Sequence, residues 1–349
     1  MKFIFPLVLI SLLCISFFSC GKDDNPITPN LIDTTLDSPR FNWKTFYVYD
    51  EGFFNGIWAR DTNDILVLNM FYSYTARIKD NTLNITKYFP LNPFGLGGFD
   101  NNTGYLLGII NGDTAKILRV KKWNGSSFQD FALKNTYGID PSKCFFHKPN
   151  EIWIAENNGY INRFDGTGLQ RYSFIAQNDS GWVQNIYFDS TAQKVRMSYL
   201  VTSEFTGNSV RTFYLFEFNG SAWNKINEFT YTDLNVTNFF INGYMFNENG
   251  RNINILNNTF FTQFQTLHGF TLNHGGGGYS KNNLMVSGSL MPEEPLNPYH
   301  LFHWNGSKWS KEYIGFPLLQ AQIYAINSDF YVATDNSGNP SSIVIGTKK

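Results

Sequence analysis

From residue 41 onward, short runs of alternating apolar and polar residues are separated by polar turns, and one six-residue pattern recurs between them. Its copies are Trp123-Asn124-Gly125-Ser126-Ser127-Phe128, Phe164-Asp165-Gly166-Thr167-Gly168-Leu169, Phe218-Asn219-Gly220-Ser221-Ala222-Trp223 and Trp304-Asn305-Gly306-Ser307-Lys308-Trp309. Degenerate forms stand at Lys79-Asp80-Asn81-Thr82-Leu83 and Leu256-Asn257-Asn258-Thr259-Phe260. Asn-Gly and Asp-Gly favour the positive φ angles of a tight hairpin, so each copy predicts a turn between two strands. Residues 80, 124, 165, 219, 257 and 305 mark the copies, and their spacings of 44, 41, 54, 38 and 48 are a loose period. A period of about 40 to 50 residues with several short strands per unit is the signature of a β-propeller blade.

The second unit divides into strands near 95–99, 105–110, 116–123 and 128–133, and the third into 144–147, 152–155, 160–164 and 169–174. The last unit holds only three strands, near 322–327, 330–334 and 342–346, while the run from Phe41 to Val48 stands ahead of the first complete unit as an orphan strand. Pairing that first strand with the last three closes a ring and removes both exposed edges. The expectation is an all-β, seven-bladed β-propeller over residues 41–349, closed by the N-terminal strand. Six or eight blades also fit, because the degenerate units are hard to delimit. Two long connections, Ser203 to Arg211 and the proline-interrupted Met291 to Pro298, exceed what a hairpin needs and predict projecting loops.

Ahead of the repeats, Lys2 precedes an uncharged apolar run ending at Ser19-Cys20, which reads as a secretion signal over residues 1–19. Residues 20–40 are polar and proline-containing and read as a disordered tether. A small residue directly before Cys20 resembles the lipobox of bacterial lipoproteins, and Cys20-Gly21-Lys22-Asp23-Asp24 resembles the acidic export signal of surface lipoproteins in Bacteroidota. Over residues beyond 40 the blade pattern is similar to secreted propellers of that phylum, and more loosely to kelch and galactose-oxidase-like repeats. The resemblance implies lipidation at Cys20 (a palmitate-type acyl anchor) and a place on the outer membrane, facing the cell surface. The pattern is not the sialidase Asp-box, since Trp123, Phe218 and Trp304 stand where that motif has Asp.

Composition narrows the function classes. The 349 residues are 42% hydrophobic and 17% aromatic, enough for a large core. A net charge of −1 with no basic run excludes a nucleic-acid footprint. Cys14 and Cys20 lie in the targeting segment, so Cys144 has no disulfide partner and reads as a small buried apolar residue. The five histidines include His300 and His303, which a strand places on opposite faces, so no metal site and no cofactor is expected. His274 to Gly278 lacks the Lys-Ser/Thr of a phosphate loop, and its glycines fit crowding of backbones at the central channel.

The four-strand layout gathers acids and aromatics in connections on one face of the ring. The candidate ligand-binding residues there are Tyr72, Tyr74, Glu156, Asp179 and Trp182, followed by Glu204, Phe205, Glu293, Glu294 and Asp335. Two readings stand. One is a non-catalytic binding or scaffold module for a glycan or protein partner, held to the membrane through Cys20. The other is a polysaccharide-acting hydrolase or lyase, with carboxylates converging at the channel mouth. No nucleophile elbow or acid/base pair stands out, which favours binding.

Overall fold

In the computed structural model the chain divides into two units, Met1–Thr35 and Leu36–Lys349. The structure describes residues 37–48, 54–111, 116–136, 141–156, 159–174, 181–189, 192–205, 208–231, 237–241, 244–249, 252–257, 260–266, 270–290, 300–312, 322–335 and 341–349, all in the second unit. The signal, Cys20 and most of the tether therefore lie outside the described residues, as do Asp179, Glu293, Glu294 and the connection from Met291 to Pro298.

Strand β1 (Phe41–Val48) comes first. Then β2 (Phe54–Asp61), β3 (Asp64–Asn69), β4 (Tyr74–Lys79) and β5 (Thr82–Lys87) form an antiparallel meander. The next two sheets are β6 (Asn92–Gly98), β7 (Gly104–Asn111), β8 (Lys116–Trp123) and β9 (Phe128–Thr136), then β10 (Pro141–Lys148), β11 (Glu151–Glu156), β12 (Tyr160–Phe164) and β13 (Leu169–Ser173). They are followed by β14 (Gly181–Asp189), β15 (Lys194–Phe205), β16 (Asn208–Phe218) and β17 (Trp223–Tyr231), then by β18 (Thr237–Ile241), β19 (Tyr244–Asn249), β20 (Asn252–Asn257) and β21 (Phe260–Thr266). The last elements are β22 (Phe270–Ser280), β23 (Asn283–Leu290), β24 (His300–Trp304), β25 (Trp309–Glu312), β26 (Gln322–Asn327), β27 (Phe330–Asp335) and β28 (Ser341–Lys348). Among the described residues these make seven four-stranded sheets, of which the last is ordered β1-β28-β27-β26. First strands touch those of neighbouring sheets, as in β26 to β2, β2 to β6, β6 to β10 and β10 to β14, which is the inner ring of a β-propeller.

Burial follows position in the blade. Second strands lie between two neighbouring sheets, so β3, β11 and β27 are buried at every residue, whereas the outer strand β5 is mostly exposed. The core is correspondingly divided into wedges between blades. Trp153, Ile161 and Tyr172 pack on Val183, Met197 and Phe216 of the next sheet, and Trp58, Leu66 and Leu68 on Leu96, Leu106 and Trp123.

The recurring turns join these wedges. Trp58 meets Trp123 edge-on at 5.7 Å between ring centres, and Trp153 meets Phe218 and Trp223 of the following sheet at 4.8 and 5.3 Å. Each such pair contributes about 0.5–1.5 kcal/mol beyond its buried area. Gly98 and Gly104 make room for the Trp58 indole, since a Cβ on either would overlap the ring, and Trp58 Nε1 donates to the Asp100 carbonyl at 3.2 Å. At the inner ring Gly277 of β22 lies against the Ile323 backbone of β26, leaving no space for a side chain. At this position the glycine run serves close approach of backbones.

The turn mechanism differs from the expected one. In the four full copies only the glycine has positive φ: Gly125 (+104°), Gly166 (+94°), Gly220 (+104°) and Gly306 (+92°). The preceding Asn or Asp acts through its side chain instead. Asn305 Oδ1 accepts from the backbone N–H of Ser307 (2.9 Å) and Lys308 (2.8 Å) and from the Ser307 hydroxyl (2.9 Å), and Asn124, Asn219 and Asp165 do the same. At Asp165, the N–H groups of Gly168 and Thr167 hold the carboxyl down to about 2. Two consecutive positive φ angles occur at Asp80 (48°) and Asn81 (65°), in one of the two copies that lack glycine.

Strand β1 pairs with β28 in unbroken register from Phe41↔Lys348 to Val48↔Ser341, which is the predicted closure. Residues 37–40, assigned from sequence to the end of the tether, are packed. Asp37 bridges in parallel to Ser310, and its N–H donates to the Trp309 carbonyl at 3.0 Å. Glu312, fully buried at the end of β25, accepts from the N–H of Arg40 (3.0 Å) and of Phe41 (3.1 Å), from Trp43 Nε1 (3.3 Å) and from the Ser310 hydroxyl (2.8 Å). Removing a carboxylate that satisfies several buried donors costs about 3 kcal/mol or more. Glu312→Ala is expected to lower the melting temperature by roughly 5 °C or more. An unchanged melting curve would show that the closure does not depend on this side chain.

Candidate functional site

Each blade's first strand starts where the preceding blade's outer strand ends. The connections between blades and the turns between second and third strands therefore share one face of the ring, called here the connection face. The tight Asn-Gly turns lie on the other. Tyr72, Tyr74, Glu156, Trp182, Glu204, Phe205 and Asp335 all fall at strand ends or turns on the connection face, as the layout required.

Several of them are not available to a ligand. Tyr74 is fully buried in the wedge with Phe54, Ile65 and Ile78, and its hydroxyl accepts from Asn69 Nδ2 at 3.0 Å. Glu156 is also fully buried. Arg171 grips it through both Nε (3.0 Å) and Nη2 (2.8 Å), Asn162 Nδ2 donates to it, and the guanidinium covers the Tyr160 ring at 3.7 Å. A carboxylate with both oxygens engaged inside the sheet is a structural strut rather than an exposed acid. Asp335 is buried at the end of β27.

The expected loop from Ser203 to Arg211 is instead a continuation of the sheet. Strands β15 and β16 run to twelve and eleven residues and pair through Thr202↔Arg211, Ser203↔Val210, Glu204↔Ser209 and Phe205↔Asn208. Glu204 and Phe205 thus stand at the tip of a β-hairpin that extends beyond the neighbouring strands.

Two of the expected residues remain exposed. Tyr72 is 48% exposed in the β3–β4 turn, and Trp182 is 43% exposed at the start of the inner strand β14. Tyr72 has company that the sequence reasoning partly missed. Phe71, in the same turn, is 76% exposed, and Phe89, on the connection from β5 to β6, is 91% exposed. The backbone beneath them is tied down. Asn69, buried, accepts from the Tyr72 N–H at 3.1 Å, and the Ser73 carbonyl accepts from the Tyr88 N–H at 2.8 Å, joining turn to connection. Tyr88 hydrogen-bonds Thr75 through its hydroxyl at 3.0 Å, and Leu91 is buried, so Phe89 is the ring in this segment directed outward. Three exposed aromatics on a hydrogen-bonded frame are an arrangement suited to contact with a partner.

The remaining chemistry is quiet. Burial pushes the Cys144 thiol up to about 12, which makes it a poor nucleophile. Among the described residues no three His, Cys, Asp or Glu side chains gather as metal ligands would. His303 is buried edge-on to Phe41 (5.0 Å) and Tyr331 (5.9 Å), with neither ring nitrogen hydrogen-bonded.

No protein-family model matches this chain, and no curated protein sequence matches it. Solved structures do. YCF48 bound to a D1 peptide superposes with a TM-score of 0.59 at 12% identity, covering 90% of this chain and 100% of that one. The streptogramin B lyase structure gives 0.58 at 10%, covering 89% and 98%, and a chain of the mitotic checkpoint complex gives 0.55 at 11%, covering 90% and 98%. The likeness is one of fold. It makes the chain a β-propeller and leaves its partner to be argued from its own residues.

His303 yields a pH prediction. Burial, then the charges of Arg40 and Lys348, push its imidazole down to about 4, against an unperturbed value of 6.5. The unfolded chain takes up its proton near pH 6.5 and the folded chain near 4, so this stability is present above 6.5 and is lost as pH falls through 4. The loss is at most about 3 kcal/mol. In denaturant titrations His303→Leu is expected to flatten the dependence between pH 7.5 and 4.5. An identical slope in the variant would refute this role.

Proposed function

We propose that this propeller is a non-catalytic binding or scaffold module, that it uses its connection face to hold a glycan or protein partner, and that a lipid on Cys20 anchors it at the outer membrane, facing outward. The observation that carries the binding reading is the group formed by Phe71, Tyr72 and Phe89, apolar rings left in water on a backbone already fixed by hydrogen bonds. Large aromatic side chains bury much area on binding at low conformational cost, and a frame that is ordered beforehand lowers that cost further. Trp182 and the extended β15–β16 hairpin stand on the same face and would widen the contact.

Fold neighbours are compatible with either class, since one is held with a peptide and another is a lyase. What favours binding over a polysaccharide hydrolase or lyase is the state of the carboxylates. Glu156 and Asp335 are buried in the sheet ends, and Glu156 is bridged by Arg171, whereas an acid/base pair has to face the substrate. The anchor reading rests on the sequence around Cys20 and on membrane attachment requiring acyl chains that a propeller does not itself supply.

Two experiments test this reading. The triple variant Phe71→Ala, Tyr72→Ala, Phe89→Ala is expected to keep the wild-type melting temperature within about 2 °C, because exposed side chains contribute little to stability. It should weaken capture of surface glycans or proteins in array and pull-down measurements at least tenfold. Full capture by a folded triple variant would move the contact elsewhere. Separately, Cys20→Ala is expected to shift the protein from the membrane pellet to the soluble fraction, and full-length variant protein remaining in the pellet would refute the lipid anchor.

A further inference from the structure

We propose that a cleft on the opposite side of the molecule, at the seam where the ring closes, is a second binding site, and that it takes a neutral saccharide of one or two pyranose rings. The cleft has a volume of about 290 Å³ and lies between the closing sheet and the β2–β5 sheet, beside the tight turns. That volume is near the lower end of small-molecule sites. Its apolar floor is made by Phe46 of β1, Ile78 of β4 and Ile345 of β28. Around the floor stand Asn42 and Lys44 of β1, Asn63 of the β2–β3 turn and Asn81 of the β4–β5 turn.

The amides are what set the place apart. In the repeated turns Asn124, Asn219 and Asn305 use their side-chain oxygens to cap their own turn. At the seam the capping positions are held by aspartates, Asp80 in the β4–β5 turn and Asp61, whose Oδ1 accepts from the Asn63 N–H at 2.6 Å, in the β2–β3 turn. Among the described residues the exposed side chains of Asn42, Asn63 and Asn81 make no hydrogen bond. The Asp80 N–H is held by the Asn63 carbonyl at 2.9 Å, so the two turns are locked together by backbone and their amides are left for something else. Three carboxamides, each offering a donor and an acceptor, match vicinal hydroxyls, which need both.

The charge pattern selects a neutral ligand over an anionic one. Lys44 makes no ion pair among the described residues, and its ammonium lies 5.1 Å from the Phe46 ring centre. Asp61 and Asp80, in the same two turns, are adjacent to the lining residues Thr62 and Asn81 and offset that single cation. Lys44 then serves as one more donor to a hydroxyl. The site does not depend on the aromatic group, which is on the other face.

The test is saturation-transfer NMR and calorimetric titration of the full chain with cellobiose, maltose and lactose and with glucuronate as the charged control. At least one neutral disaccharide is expected to bind in the millimolar range or tighter. Asn63→Ala combined with Asn81→Gly, which keeps the positive φ at 81, and separately Lys44→Met, should each weaken it at least fivefold. The Phe71/Tyr72/Phe89 triple variant should bind it as the wild type does. Absence of binding by all three disaccharides, binding unchanged in the cleft variants, or tighter binding of glucuronate would each overturn the proposal.

Discussion

A ring of sheets is stable only if its first and last members hold each other, and here that constraint falls on eight residues. Strand β1 is the outer strand of a sheet whose other three strands are β28, β27 and β26, so the two ends of the domain are joined without a covalent link, by the β1–β28 hydrogen bonds and by side-chain packing such as Phe41 on Tyr331. Until β1 docks, β28 presents an open edge and the Phe46–Ile345 side of the wedge with the first blade is incomplete. Glu312 makes the docking specific. It belongs to the sheet before the closing one and collects the N–H groups of Arg40 and Phe41 and the Trp43 indole, so the entering segment is tied to two sheets at once. The C-terminus adds a further tie, since the Lys349 N–H donates to the Arg40 carbonyl at 2.9 Å.

The joints between the other blades use a different device, repeated where the sequence repeats. An aromatic on each side of an Asn-Gly turn forms a pair within its own sheet, such as Trp123 with Phe128 at 5.0 Å or Trp304 with Trp309 at 5.4 Å, whereas the Asp-Gly copy has Phe164 on one side and Leu169 on the other. That pair becomes the docking surface for a tryptophan of the preceding sheet, as Trp58 and Trp153 show. Cations lie over the assembly, with Arg77 at 5.0 Å and Arg60 at 5.2 Å from the Trp123 ring, and both arginines pair with Asp64. The guanidiniums pull the Asp64 carboxyl down against the desolvation of its site. One motif thus sets a turn, an aromatic pair and a joint between sheets.

That overlap explains which features could be read from sequence. The turns, the four-strand units and the closing strand were legible because local turn chemistry and long-range packing ask for the same residues at the same places. Individual site residues were not, because exposure at a strand end depends on a partner elsewhere in the chain. Nothing near Glu156 in the pattern announces Arg171 fifteen residues on, and nothing at Tyr74 announces that Asn69 will take its hydroxyl inward. Ser203 to Arg211 read as a loop because its polar composition hid two pairing strands. Phe89 was overlooked for the converse reason: beside Tyr88, Pro90 and Leu91 it looks like core, yet its neighbours go inward and leave it outside.

The two faces of the ring are built under different constraints, and this bears on where binding can evolve. On the face of the tight turns the loops are short and their side chains are mostly engaged in holding the turn, with the seam between β1 and the β2–β5 sheet as an exception. There the copy of the turn lacks glycine, takes both positive φ angles on Asp80 and Asn81, and sets an aspartate at the capping position and an exposed amide at the position of the glycine. On the connection face the chain must cross from one sheet's edge to the next sheet's inner strand, so the segments are longer and their side chains are not dictated by turn geometry. Phe89 stands on such a segment, and Phe71 and Tyr72 stand in the β3–β4 turn that is hydrogen-bonded to it. Their exposure is therefore a free choice of the sequence rather than a consequence of the fold, and an apolar surface that the fold does not require is best explained by something that covers it.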